Sequence, residues 1–274
     1  MTPAPTPPLL TDPTARRRNL SRARRLGPEG FLHRIAVSEV QDRLAEVNKR
    51  FTEPAIVTDF PEFWKEICPT ARIVLPASRL EMGQHDLIVH AMALHWADDP
   101  VGQLVQMRQA LRPDGLLIAA FPGAETLHEL RSAMAQAEVE ITGGLSPRVL
   151  PMGELRDLGA LLGRAGFALP VADVVGQRVS YRNIRHLAGD LRAMGEGNAM
   201  AARLRHPSSR RLMAAAEACY ASNFPDPERP GRILASFDLV FLTGWAPAPG
   251  QQQPLRRGSA QISLAQALEK LRQE

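Results

Sequence analysis

Aromatic residues make up only 5% of this 274-residue chain, and cysteine is down to two, Cys68 and Cys219. So few stacking platforms argue against a single-stranded nucleic-acid binder. Two isolated cysteines give neither a disulfide framework nor a CxxC pair, which fits a reducing compartment. No apolar run reaches the ~20 residues that a spanning helix needs. Even Ile233 to Trp245 is interrupted by Ser236, Asp238 and Thr243. The expectation is a soluble, cytoplasmic bacterial protein. A mitochondrial matrix location is the alternative, because residues 1 to 25 are arginine-rich and almost free of acids.

What is present begins with a moderate positive charge, +4, whose excess gathers in Arg16, Arg17, Arg18, Arg22, Arg24 and Arg25. With the proline-rich Met1 to Pro8 before it, this segment reads as a disordered basic arm over residues 1–29, open at most to peripheral contact with an acidic surface. Further on, Leu87-Ile-Val is short, apolar and β-branched, as a strand buried on both faces must be. Asp98 or Asp99 can then cap a helix opened by Pro100, with Val101, Leu104, Val105 and Leu111 on one face. Arg112-Pro-Asp-Gly115 supplies a tight turn in which Gly115 can take a positive φ, and Leu116 to Phe121 is a second buried strand. Strand, crossover helix and parallel strand make a right-handed βαβ unit.

Around this unit the periodicity predicts a helix over Gly30 to Lys49, with a break near Ser38. Strands follow at Pro54 to Asp59 and Ala71 to Leu75, with a short helix at Pro61 to Ile67 between them. Helices are expected at Glu125 to Glu140, Met152 to Arg164, Ile184 to Met194 and Arg210 to Tyr220. Val171 to Tyr181 reads as a strand, and the alternation in Ile233 to Trp245 predicts a final antiparallel strand. Pro247 to Pro254 is a linker, and a short helix is expected from Leu264 to Leu271. One domain over residues 30–246 results, with a helical insertion at about 182–222, and 247–274 forms a linker and tail.

The residues His85-Asp-Leu-Ile-Val, Leu94-His-Trp96, Pro100 and Leu111-Arg-Pro-Asp-Gly-Leu-Leu-Ile118 resemble the fourth and fifth strands of class I S-adenosylmethionine (SAM)-dependent methyltransferases. Gly143 to Pro147, Leu158 to Phe167, Asp190-Leu-Arg-Ala-Met-Gly-Glu-Gly-Asn198, Gly244-Trp245 and Arg257 to Ala260 follow in order. This set is similar to the family of mitochondrial complex I assembly factor 5 and its bacterial relatives. The resemblance implies a Rossmann-like α/β sheet of the seven-stranded type with helices on both faces, SAM as cofactor, and a complex I subunit as protein partner. If the chain is an enzyme, methyl transfer or protein-arginine hydroxylation is the implied reaction.

Open α/β sheets bind ligands at the C-terminal ends of their strands. That rule makes Thr58, Asp59, Phe60, His90, Ala91, Met92, His95 and Trp96 the candidate cofactor-binding residues. The chain departs from the family pattern in two places. A SAM cradle needs glycines after the first strand, where backbone N–H groups approach the cofactor, but Thr58-Asp-Phe-Pro-Glu62 brings a bulky ring and a residue without a donor. An acid that would accept from the ribose hydroxyls is missing after Ile73-Val-Leu75; Glu81 or Asp86 could serve only by a changed path. The stretch Asp59 to Asp86 is also too short for two further βα units at roughly 30 residues each, so a sheet trimmed at one edge is expected. His85, His90 and His95 lack metal-ligand spacing, so no metal is expected. No catalytic residue can be named. The readings left open are a SAM enzyme acting on a protein, a non-catalytic assembly protein that keeps the fold, and a small-molecule methyltransferase.

Overall fold

A computed structural model describes residues 9–251. Met1 to Pro8, the tail from residue 252 with Arg257 to Ala260, and the helix expected at Leu264 to Leu271 lie outside the described residues. Among the described residues seven α-helices accompany one six-stranded sheet: α1 Pro13–Leu26, α2 Phe31–Glu46, β1 Pro54–Thr58, β2 Arg72–Val74, β3 His85–Ala91, α3 Pro100–Ala110, β4 Leu111–Gly123, α4 His128–Thr142, α5 Leu155–Arg164, β5 Ala168–Tyr181, α6 Ile184–Ala193, α7 Arg210–Asn223 and β6 Ile233–Trp245.

The strand order is β2-β1-β3-β4-β6-β5. The first four strands are parallel, and β6 runs antiparallel to both β4 and β5. This is the doubly wound, Rossmann-like sheet expected, with the antiparallel final strand and the trimmed edge. Between β1 and β3 the chain has room only for the three-residue β2 and a single 3-10 turn, Pro61–Phe63, where a short helix was expected.

Side-chain alternation along the strands builds two apolar layers. Ile56, Leu87, Val89, Leu116 and Ile118 face α2, α4, α6 and α7. Ala55, Val57, Ile88, Leu117 and Ala119 face α3 and α5. Leu87, Ile88 and Val89 are all 0% exposed, as a parallel strand covered by helices on both faces requires.

Three expectations are corrected. The basic segment is not a disordered arm over its helical part: residues 13–26 form α1, capped by the Asp12 carboxylate, which accepts from the Thr14 and Ala15 N–H groups. Its apolar face, Ala15, Leu20 and Ala23, is buried, and that burial offsets the entropy of ordering it. The α2 helix runs unbroken through Ser38. In the 112–115 turn the positive φ belongs to Asp114 (62°), not to Gly115. Asp tolerates the left-handed region, and here its carboxylate pairs with Lys49 at 2.7 Å. Gly115 is needed for space: an added Cβ would sit 2.9 Å from the Arg112 carbonyl oxygen.

Candidate functional site

The strand order reverses direction at β1 and β3, where an open α/β sheet has its crevice. β1 delivers Thr58, Asp59 and Phe60 to that edge. The Thr58 hydroxyl accepts from the Phe60 N–H at 3.1 Å, so the chain folds back at once and turns the Phe60 ring inward. Phe60 is 2% exposed and packs against Leu20 and Ala23 of α1 and against Phe63. His33 of α2 stacks on Phe63 at 4.9 Å and meets Phe60 edge-on at 5.3 Å. Its Nδ1 accepts from Trp64 Nε1–H at 2.9 Å. Burial lowers the His33 pKa to about 4, so it stays the neutral acceptor that Trp64 needs.

Above this aromatic cluster lies α1. Arg16, only 8% exposed, donates to the Gly195 carbonyl at 2.8 Å, to Glu196 at 3.1 Å and to Asp59 at 3.4 Å. Arg24 donates to the Asp59 carbonyl at 2.8 Å. The segment 195–198 closes over the same helix. Gly195 adopts φ +78°, and a Cβ there would meet Leu20 at 3.2 Å and Phe60 at 3.3 Å. Asn198 ties the loop down by donating to the Pro147 carbonyl at 2.8 Å.

SAM needs free backbone donors and open space at this point. The residues present supply a buried ring, a proline and a clamped helix instead, and β2 ends at Val74 without an acid. The donor set and the space do not fit the cofactor.

Glu196 is the hub of what remains. It accepts from Arg16, from Trp96 Nε1–H at 2.7 Å and from His95 Nε2 at 3.0 Å, when that nitrogen carries the proton. Burial pushes its pKa up, but Arg16, His95 and Trp96 outweigh that and hold it at about 2, so it is a carboxylate at neutral pH. His95 Nδ1 is buried and has no partner among the described residues.

His95, Trp96 and Glu196 form the polar wall of a cavity of about 240 Å³ beyond the end of β4. Leu127 and Leu130, Val149, Leu191 of α6 and Phe237 of β6 supply its apolar walls, and Arg148 and Arg192 also line it. Arg148 is held at 2.6 Å by Glu138, itself 2% exposed. The cavity can hold an apolar group several carbons long beside one polar edge.

Of the eight residues proposed from sequence, only His95 and Trp96 line this cavity. Thr58, Asp59 and Phe60 belong to the filled crevice. His90 points to the α3 side, with Nε2 3.2 Å from Gln103 Oε1, and burial lowers its pKa to about 4. Ala91 and Met92 are buried in the core, Met92 with φ 55°. Sequence reasoning missed Arg16 and Glu196 as site residues. Glu196 sits within the Asp190 to Asn198 segment that carried the family resemblance, so that signal was available; Arg16 looked like one arginine among six. No group of three or more His, Cys, Asp or Glu side chains is placed to hold a metal ion among the described residues.

No family model matches. The chain is 38% identical over 180 residues to "Arginine-hydroxylase NDUFAF5, mitochondrial" of Danio rerio, covering 66% of this chain and 55% of that protein. The human protein of the same name is 38% identical over 183 residues, covering 66% and 52%. The malonyl-[acyl-carrier protein] O-methyltransferase of Laribacter hongkongensis is 35% identical over 179 residues, covering 65% and 57%. The chain thus spans about half the length of the curated relatives it matches. Among solved structures, a Bacillus halodurans protein named as a methyltransferase superposes with a TM-score of 0.48 at 11% identity, over 77% of this chain and 99% of its own. Sequence identity and sheet topology together make this chain a homologue of the NDUFAF5 arginine-hydroxylases and the malonyl-[acyl-carrier protein] O-methyltransferases, built on the class I, Rossmann-like methyltransferase fold.

Proposed function

We propose that this chain works without SAM, as a binding protein in the maturation of a respiratory complex I subunit, and that the cavity beyond β4 receives part of its protein partner. One observation carries the reading: the crevice at β1 and β3 is filled by Phe60, Phe63, Trp64 and His33 beneath a clamped α1. Opening it would expose buried rings and strand Arg16, a cost of several kcal/mol that a cofactor would have to overcome. The similarity to proteins named NDUFAF5 supports the partner class, and the open, largely apolar cavity beside α4 and α6 supports a contact there.

Calorimetric titration with SAM tests the first half, and no heat of binding is expected up to ~1 mM, the weak end of the affinity scale. Saturable binding in that range would return the chain to the SAM enzymes. For the second half, immobilised protein should retain a complex I subunit or assembly intermediate from lysate. Loss of that retention in a Leu130→Trp variant would place the contact in the cavity.

A further inference from the structure

Arg148 and Val149 line the cavity beyond β4 on one side and a separate, open groove of about 490 Å³ on the other. One wall of this groove is α4, at Arg131 and Ala135. The strap of residues 145–151 forms the second wall, and Leu9, Leu10, Met200 and Ala202 form the third.

Three leucines stand in the groove largely uncovered: Leu145 is 69% exposed, Leu9 58% and Leu10 39%. Val139, one turn along α4 from Ala135, extends the same face and is 52% exposed. Single exposed leucines are ordinary, but an apolar strip gathered along one groove marks a surface that another molecule covers.

The backbone that presents these leucines is held in place. The Ser146 N–H and hydroxyl both donate to the buried Glu138 carboxylate, at 2.9 and 2.5 Å, and Arg148 pairs with the same group at 2.6 Å. Across the groove the Leu10 N–H donates to Asp98 at 2.7 Å, and the Leu10 carbonyl accepts from the Ala201 N–H at 2.8 Å. A strip fixed in this way spares a partner the entropy of ordering it.

The residues lining the groove include no acid. Arg131 is its cation, and it makes no ion pair among the described residues. Its Nη2 reaches the Leu150 carbonyl at 3.5 Å, and its Nε is buried without a partner. A cation left beside apolar side chains is complemented by a carboxylate set among apolar side chains on the other molecule. Arginine with apolar neighbours suits a protein interface. No strand of the sheet borders the groove, so an extended peptide would find no main-chain ladder there. A helix satisfies its own backbone and needs only side-chain anchors.

We infer that this groove docks an amphipathic α-helix of a partner protein, with apolar anchors on Leu9, Leu10 and Leu145 and a carboxylate on Arg131. The inference is independent of whether the cavity beyond β4 receives a ligand and of whether the crevice binds SAM. Fluorescence anisotropy of the full chain with two labelled amphipathic peptides tests it. One peptide is built of leucine, alanine and glutamate, and the other carries lysine in place of every glutamate.

The glutamate peptide should bind saturably below ~1 mM, and about tenfold more tightly than the lysine peptide. Arg131→Glu should invert that preference. Leu145→Asp should weaken the glutamate peptide about tenfold with near-UV circular dichroism unchanged. Val171→Asp, at a residue 54% exposed on the outer strand β5, should leave binding as in the parent. Absence of saturable binding, equal binding of the two peptides, or an Arg131→Glu protein with the parent's preference would each overturn the inference. So would a Val171→Asp protein weakened as much as Leu145→Asp. Self-association in sedimentation that Leu145→Asp abolishes would also overturn it, because a second copy of the chain would then cover the groove.

Discussion

Two crevices lie along one edge of the same sheet, and they have opposite interiors. At the ends of β1 and β3 the space is packed with His33, Phe60, Phe63 and Trp64 under α1. Beyond β4 it is a cavity of about 240 Å³ walled by α4, α6 and β6. Open α/β sheets bind ligands beyond the C-terminal ends of their strands, where both of these spaces lie. Here the first is packed with side chains, while the second is open.

If the first crevice is now structural, the largest loss should come from emptying it. Trp64 is 0% exposed and its indole N–H is the partner of His33 Nδ1. Trp64→Ala is expected to cost about 3–5 kcal/mol in denaturant unfolding, from the cavity and the orphaned acceptor together. A loss under about 1 kcal/mol would mean that the cluster is loosely packed and could yield to a ligand.

Next in size is the hub between the two crevices. Glu196→Gln leaves Arg16 buried with only Asp59, at 3.4 Å, as a charged partner. Removing one side of such a pair typically costs about 3 kcal/mol. Because Trp96 also loses an ionised acceptor, its fluorescence should shift along with stability. A shift in fluorescence without a loss of stability would show Arg16 to be satisfied by Asp59 and the Gly195 carbonyl alone.

The same contrast shows how much the sequence disclosed. The sheet was legible because Leu87-Ile-Val, Leu116 to Phe121 and Ile233 to Trp245 carry strand periodicity, and the shortness of Asp59 to Asp86 foretold the missing strand. The loss of the cradle was also legible, from Phe60 and Pro61. What fills the crevice was not: α1 looked like a disordered arm, since its buried stripe of Ala15, Leu20 and Ala23 is made of small or isolated apolar residues among arginines. The cavity was hidden too, because its walls come from α4, α6 and β6, and no local pattern marks residues that meet only after folding.

Acid should reach the two buried histidines, His33 under α1 and His90 on the α3 side, before it reaches the hub carboxylate. His33 and His90 both titrate at about 4 when folded, against about 6.5 unfolded. Between those values the unfolded chain binds more protons, so stability is complete above pH 6.5 and falls as pH drops towards 4. Each histidine contributes a slope of up to about 1.4 kcal/mol per pH unit, roughly 3 kcal/mol in all. Glu196, at about 2 when folded, adds a further loss only between pH 4.5 and 2. In a series of urea melts, His90→Gln should remove about half of the upper slope, and an unchanged slope would show that His90 is already accessible to protons.

The smallest effects give the most direct comparison, because one side chain is enlarged on each side of the hub. Gly195→Ala adds a single carbon, yet φ is +78° and Leu20 and Phe60 stand 3.2 and 3.3 Å from the new atom. Backbone strain and crowding together should cost about 1–2 kcal/mol. Leu130→Trp adds a whole ring system, but into the cavity, so its cost should stay below about 1 kcal/mol, a change of about 2–4 °C in Tm. If the single carbon proves harmless while the ring destabilises, the assignment of filled and open regions is reversed, and the crevice at β1 would again be the place to look for a ligand.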